Sequence, residues 1–196
     1  MAMLSLFLAL ISISIAAVPA TQAAGIVIDV QPFSDVSTKE KTYVFEALKK
    51  VYPNVEMKEA IGLPKAAYYP ARKRYRADSL IDFLGARTVA GHVALGITTK
   101  DISATKGAVK DWGIMGLGFL PGNACVVSTF RLSKTETLDQ LFKISIHELG
   151  HTQGLPHCPV KFCFMRDAEG HNPTNEETDF CPSCKAHLVA RGWKFK

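Results

Sequence analysis

The run His147-Glu148-Leu149-Gly150-His151-Thr152-Gln153-Gly154-Leu155-Pro156-His157 carries residue types at spacings that could do chemistry. On a helix, positions i and i+4 lie one turn apart on one face, so the imidazoles of His147 and His151 can converge on a single cation. Zinc suits such a pair, with its nitrogen ligands and tetrahedral preference. Glu148 stands beside the first ligand, close enough to reach a water at the metal without competing for it. A helix carried straight on would leave His157 ~9 Å along the axis from His151. Gly154 can adopt positive φ and turn the chain, letting His157 swing back as a third ligand. Three imidazoles leave one corner of the metal open, which is the arrangement of a catalytic site rather than a structural one. The chemistry so implied is hydrolysis by metal-activated water, with Glu148 as general base.

A second group follows at once. Cys158, Cys163, Cys181 and Cys184 stand at paired short spacings. Four thiolates so arranged match a closed tetrahedral zinc site, which the spacing favours. The rival reading is disulfides, of which four cysteines allow three pairings. Cys125 lies between Ala124 and Val126 and reads as a core thiol. His92 reads as a satisfied core residue, His171 as part of a polar loop, and His187 as structural, on a short final helix. No Ser-His-Asp set, phosphate-cradling loop or dinucleotide fingerprint competes.

The long histidine motif is that of the metzincin superfamily, in which a methionine after the third histidine makes a turn beneath the metal. Met165 is the candidate here. The continuation narrows the match: Cys158 directly after His157, then Cys163, Met165 and the pair Cys181-Pro182-Ser183-Cys184. This run resembles the archaemetzincin family, closely over residues 147–184 and more loosely over Val126–Leu132. The resemblance implies an α/β (α+β) metzincin-like zincin fold, a mixed twisted sheet with packed helices and a small C-terminal zinc-bound subdomain. It implies His147, His151 and His157 as ligands of a catalytic zinc and Glu148 as general base. It further implies Cys158, Cys163, Cys181 and Cys184 as ligands of a structural zinc, two zinc ions per chain in all. Family members are described as peptidases, in some cases aminopeptidases, so the implied partner is a peptide or protein. Two features depart from the family: an export signal, and Asp167, Glu169 and His171 between Met165 and Cys181.

The elements that must position these residues are legible in outline. Ile26–Val30 reads as a strand ended by Pro32, and Ser37 or Thr38 as the cap of a helix through Lys50 with Val44, Leu48 and Val51 on its buried face. A strand is expected over 55–61 and a helix over 78–84, stopped by Gly85. Residues 92–98 have the continuous apolar character of a strand covered on both faces. The glycine-rich stretch 112–120, the turn Pro121-Gly122-Asn123 and a strand over 124–130 form an expected hairpin. If the 124–130 strand is a sheet edge, a peptide could add to it. Arg131 at its end could meet a substrate carboxylate or pair on the surface. A helix over 137–154 then carries the chemistry, stopped by Gly154 and Pro156. Alternation of strands and helices gives a mixed sheet with helices packed on it.

Residues 1–24 carry no charged side chain and change from an apolar run to Val18-Pro19-Ala20-Thr21-Gln22-Ala23-Ala24. That pattern reads as a secretory leader cleaved near Ala23 or Ala24, which would place the protein outside the cytosol or in a periplasm. The alternative is an uncleaved membrane anchor, although the run is shorter than the ~20 residues a spanning helix needs. The remainder, 25–196, reads as a single metallopeptidase domain, with an upper part over 25–154 and a lower part over 155–196. The net charge of +5 is too small to argue for nucleic acid. The basic run Arg72-Lys73-Arg74-Tyr75-Arg76 reads as a solvated loop. Outside peptide hydrolysis, the composition leaves open a zinc-stabilised module that binds peptides without cutting them, and a zinc hydrolase acting on another amide.

Overall fold

The structure is a computed structural model that describes residues 25–168 and 170–196. The leader at 1–24 therefore lies outside the described residues, as does Glu169. Strand β1 (Val27–Pro32) opens the fold and leads to helix α1 (Thr38–Val51). A capping box starts α1: the Ser37 hydroxyl accepts from the Glu40 amide, and the Glu40 carboxylate accepts from the Ser37 amide. Val44 and Leu48 are the buried positions on α1, while Val51 is half-buried. Strand β2 (Val55–Met57) follows. It is shorter than the expected 55–61, because the chain leaves the sheet after Met57 and returns only as a single bridge between Ile61 and Phe33.

After short strands β3 (Tyr68–Tyr69) and β4 (Arg74–Arg76) come helix α2 (Ala77–Gly85) and strand β5 (His92–Thr98). Strands β6 (Ile102–Lys106), β7 (Val109–Ile114), β8 (Gly116–Gly118) and β9 (Ala124–Ser128) lead into helix α3 (Thr137–Thr152). Helix α4 (Pro182–Ala190) closes the chain. Among the described residues no helix is long and apolar enough to cross a membrane.

The main sheet runs in the order β2-β1-β5-β9-β8, with β2, β1, β5 and β9 parallel and β8 antiparallel at the edge. Its central strands are buried on both faces, which explains their near-continuous apolar sequence. Val93, Leu95, Ile97, Cys125 and Val127 point to the face covered by α1, α3 and the C-terminal segment. Ala94, Ala124 and Val126 point to the face covered by α2. Leu155, Met165, Phe180 and Trp193 join the first of these cores, so residues after Gly154 pack on the same apolar body as the sheet. Trp193 stacks on Tyr52 with ring centroids 4.6 Å apart, tying the chain's end to the end of α1.

A second sheet, β3-β4-β6-β7, lies beside the first. It corrects the solvated-loop reading of 72–76. Arg74–Arg76 is strand β4, and its arginines are paired: Arg72 to Asp111, Arg74 to Asp101 and Arg76 to Asp78, each at 2.6 Å. Asp101 and Asp111 arrive from distant parts of the chain, so a local reading of charge finds no partner for the run. The glycine-rich stretch is likewise two strands. It breaks at Met115, where the chain passes from the second sheet to the edge of the first; the Met115 carbonyl accepts from the Ser128 amide at 2.8 Å. Strand β9 is therefore interior, and the outer strand on that side of the sheet is the half-buried β8.

Candidate metal centre and its cleft

Helix α3 presents His147 and His151 from one face, as the i, i+4 spacing requires. It ends in a Schellman motif: the Leu155 amide donates to the Gly150 carbonyl at 3.1 Å and the Gly154 amide to the His151 carbonyl at 2.8 Å. Gly154 holds φ +88, the left-handed value only glycine adopts without strain. That bend turns the chain and brings His157 back. The ring centroids are 4.7 Å apart for His147 and His151, 4.9 Å for His151 and His157, and 5.3 Å for His147 and His157. One nitrogen from each ring falls within 4.8 Å of the others.

The outer nitrogens are already committed. His147 Nδ1 donates to the Phe164 carbonyl at 2.6 Å, and His151 Nδ1 to the Leu155 carbonyl at 2.7 Å. His157 Nδ1 faces the Asp167 carboxylate at 3.2 Å. Such bonds fix the tautomer and leave Nε2 as the lone-pair donor towards a cation. Burial, helped by neighbouring His151, lowers the pKa of His147 to about 3, and burial lowers that of His151 too. Both rings are thus neutral, the form that ligates metal. The donor set fits zinc.

Glu148 is buried beside this triad, and burial raises its pKa to about 8 against the opposing pull of the Gly118 backbone amide. Strand β8 presses directly on it. A Cβ at Gly116 would lie 2.6 Å from Glu148 Oε1, and one at Gly118 would lie 2.6 Å from the Glu148 carbonyl oxygen. Glycine at both positions is what lets a sheet edge approach the helix this closely. Under the triad, Met165 is fully buried, and a Cβ at Gly150 would be 2.3 Å from its sulfur. The Cys158 amide donates to the Met165 carbonyl at 2.7 Å, closing the turn that carries the methionine.

The four cysteines also meet. Cys158, Cys163, Cys181 and Cys184 place their sulfurs within 4.8 Å of one another, and all five cysteines are free thiols. Cys158 and Cys181 Sγ are 3.7 Å apart, far from the ~2.05 Å of a disulfide. It is close to the ~3.8 Å edge of a tetrahedron with Zn–S bonds of ~2.3 Å. Cys125 is buried in β9, away from this group, as a core thiol.

The triad and Glu148 open onto a cleft of about 730 Å³, whose walls include Trp112 to Gly118, Arg131, Arg166 to Ala168, Gly170 to Thr174, and Glu177. Arg131 is paired with Asp101 at 2.8 Å. His92 bonds Asp29 at 3.0 Å and His187 donates to the Gln153 carbonyl at 3.0 Å, so neither joins the centre. His171 lines the cleft.

The sequence matches the profile of Peptidase family M54 over residues 26–190. The chain belongs to peptidase family M54. The archaemetzincin of Haloquadratum walsbyi is 32% identical over 179 residues, spanning 82% of this M54 chain and 98% of that one. The crystal structure of archaemetzincin from Methanopyrus kandleri superposes with a TM-score of 0.72 at 26% identity, covering 89% of this chain and 98% of its own. That of the Archaeoglobus fulgidus archaemetzincin, complexed with malonate, gives 0.69 at 27% identity, with 83% and 99% covered. The M54 assignment agrees with the α/β architecture and makes the chain a zinc metallopeptidase.

Asp167, Gly116 and Gly118 were not among the expected site residues. The pattern Gly116-x-Gly118 is the sequence signal by which a close backbone approach could have been found. Asp167 gave none, because only the fold brings it to His157.

Proposed function

We propose that this chain hydrolyses peptide bonds, with zinc held by His147, His151 and His157 and with Glu148 as general base. The observation that carries the reading is the convergence of three outward-tethered imidazoles beside a buried carboxylate in an open cleft. Zinc, when bound there, polarises the scissile carbonyl and lowers the pKa of a water towards ~7. A carboxyl oxygen of Glu148 takes the attacking water's proton. Burial suits it to hold that proton and hand it to the departing amine, since a pKa near neutrality serves both transfers. Strand β8 is the outer strand of the main sheet beside the cleft, and an extended peptide can add to its free side as a further strand. Met165 packs under the triad and does not reach the cleft. Cys158, Cys163, Cys181 and Cys184 would hold a second zinc that pins the chain following His157.

The test is Glu148→Ala in the zinc-loaded protein. Peptide turnover is expected to fall by at least ~10²-fold, the usual worth of a general base, while the catalytic metal is retained. Unchanged turnover would remove Glu148 from this role. Elemental analysis should return two zinc per chain. Paired substrates with free and blocked amino termini separate aminopeptidase from endopeptidase action.

A further inference from the structure

The cleft holds a second buried carboxylate that peptide-bond hydrolysis leaves unused. Glu177 is 3% exposed and lines the same cleft as the histidines. Among the described residues, no hydrogen bond or ion pair reaches its carboxylate. The cations that act on it are committed elsewhere: Lys143 to Asp139 at 2.7 Å and to the Thr174 carbonyl at 2.9 Å, and Arg166 to Glu176 at 2.9 Å. Its backbone is fixed, because the Glu177 amide donates to the buried Thr174 at the end of a 3-10 turn. Burial raises the Glu177 pKa to about 7 against the attraction of Lys143 and Arg166.

Its oxygens open onto the cleft with no protein donor and are left to water, so a ligand that brings a positive donor gains a charge-assisted hydrogen bond there. The position is also informative. Lys143 lies one helical turn, ~5.4 Å, before His147 on α3, and its ammonium meets the same turn that carries Glu177. Glu177 therefore faces the same cleft as the imidazoles, on the turn that Lys143 of the active-site helix holds.

We infer that Glu177 is the specificity-determining acceptor for a positively charged nitrogen of the substrate, held next to the scissile bond. This rests on the peptidase reading above and names what that site prefers. Two sources share this chemistry: a Lys or Arg side chain, and the free α-ammonium of a peptide's first residue.

Binding separates the inference from turnover. Zinc-loaded Glu148→Ala protein is titrated by fluorescence anisotropy with uncharged polar octapeptides. One arm is blocked at both ends and carries a single Lys or a single norleucine at each position in turn. The other arm has no Lys and differs only in a free or acetylated amino terminus. The expected result is at least tenfold tighter binding of Lys over norleucine at one position, or of the free over the acetylated terminus. Adding Glu177→Gln should erase that ratio. A preference in the blocked arm identifies the side chain as the source, and one in the second arm identifies the terminus. Absence of both preferences, or a preference that survives Glu177→Gln, overturns the inference. Wild-type protein that cleaves none of these peptides counts against the peptidase reading alone, because the binding ratios stand without it.

Discussion

Replacing Gly116 by alanine places one methyl group where strand β8 meets Glu148, the proposed general base. The new Cβ would lie 2.6 Å from Glu148 Oε1, 2.8 Å from Glu148 Cγ and 2.9 Å from Ile144 Cγ2. Carbon contacts relax near ~3.5 Å, so the carboxylate or the strand must yield by about 1 Å. Both neighbours stand on α3, which is held by the core, so neither can step aside freely. A displacement of that size at a reacting group costs on the order of 10²-fold in rate, or ~2.7 kcal/mol of barrier. Overpacking adds ~1–3 kcal/mol of instability, which for a chain of this size lowers Tm by roughly 3–10 °C. The assay compares kcat/KM on a cleaved peptide, zinc content and thermal melting for Gly116→Ala and Gly62→Ala; Gly62 has no heavy atom within 4 Å of its virtual Cβ. Gly116→Ala should retain its metal and lose rate, and Gly62→Ala should lose neither. A folded, zinc-loaded Gly116→Ala protein within threefold of wild-type kcat/KM would refute the claim that β8 sets the position of Glu148.

Met165→Ala removes a fully buried side chain and should cost ~2–5 kcal/mol, read as a lower denaturant midpoint, with the histidine ligands all still present. Cys184→Ser should reduce bound zinc from two to one per chain and raise protease sensitivity in residues 158–190; full metal content would mean that Cys184 is not a ligand. For the metal-free protein two buried groups of the centre dominate the pH dependence, with lowered His151 adding on the acid side and Glu177, raised to about 7, adding to the decline as pH rises. The Glu148 pKa is raised from 4.5 to about 8, so its contribution to stability is complete below 4.5 and lost as pH rises through 8. The His147 pKa is lowered from 6.5 to about 3, so its contribution is present above 6.5 and lost as pH falls through 3. The urea midpoint should therefore be highest between pH 4.5 and 6.5 and decline towards pH 8, and Glu148→Gln should remove most of that decline. A midpoint that is flat from pH 5 to 8 in the metal-free protein would contradict the burial of Glu148.

The centre was legible from sequence because its geometry is local. Helical spacing alone sets His147 against His151, and the left-handed glycine alone returns His157. The sheet order was partly legible, since the apolar run of β5 announces a strand covered on both faces. Contacts between distant segments were not. Arg74 finds Asp101, and His157 finds Asp167, only after the sheets and the methionine turn have formed. The sequence leaves open whether the 124–130 strand is a sheet edge, because which strand of the hairpin is outermost depends on where Met115 sends the chain. Glu177 was silent in sequence, being one acidic residue among several in a polar stretch.

The edge formed by β8 is three residues long and recessed between two walls. Open sheet edges invite neighbouring sheets to dock, and proteins blunt them by keeping them short or covered. On the proposed reading the short strand has room for an added strand of extended chain, so a protein substrate would have to present an unfolded stretch there before it is cut.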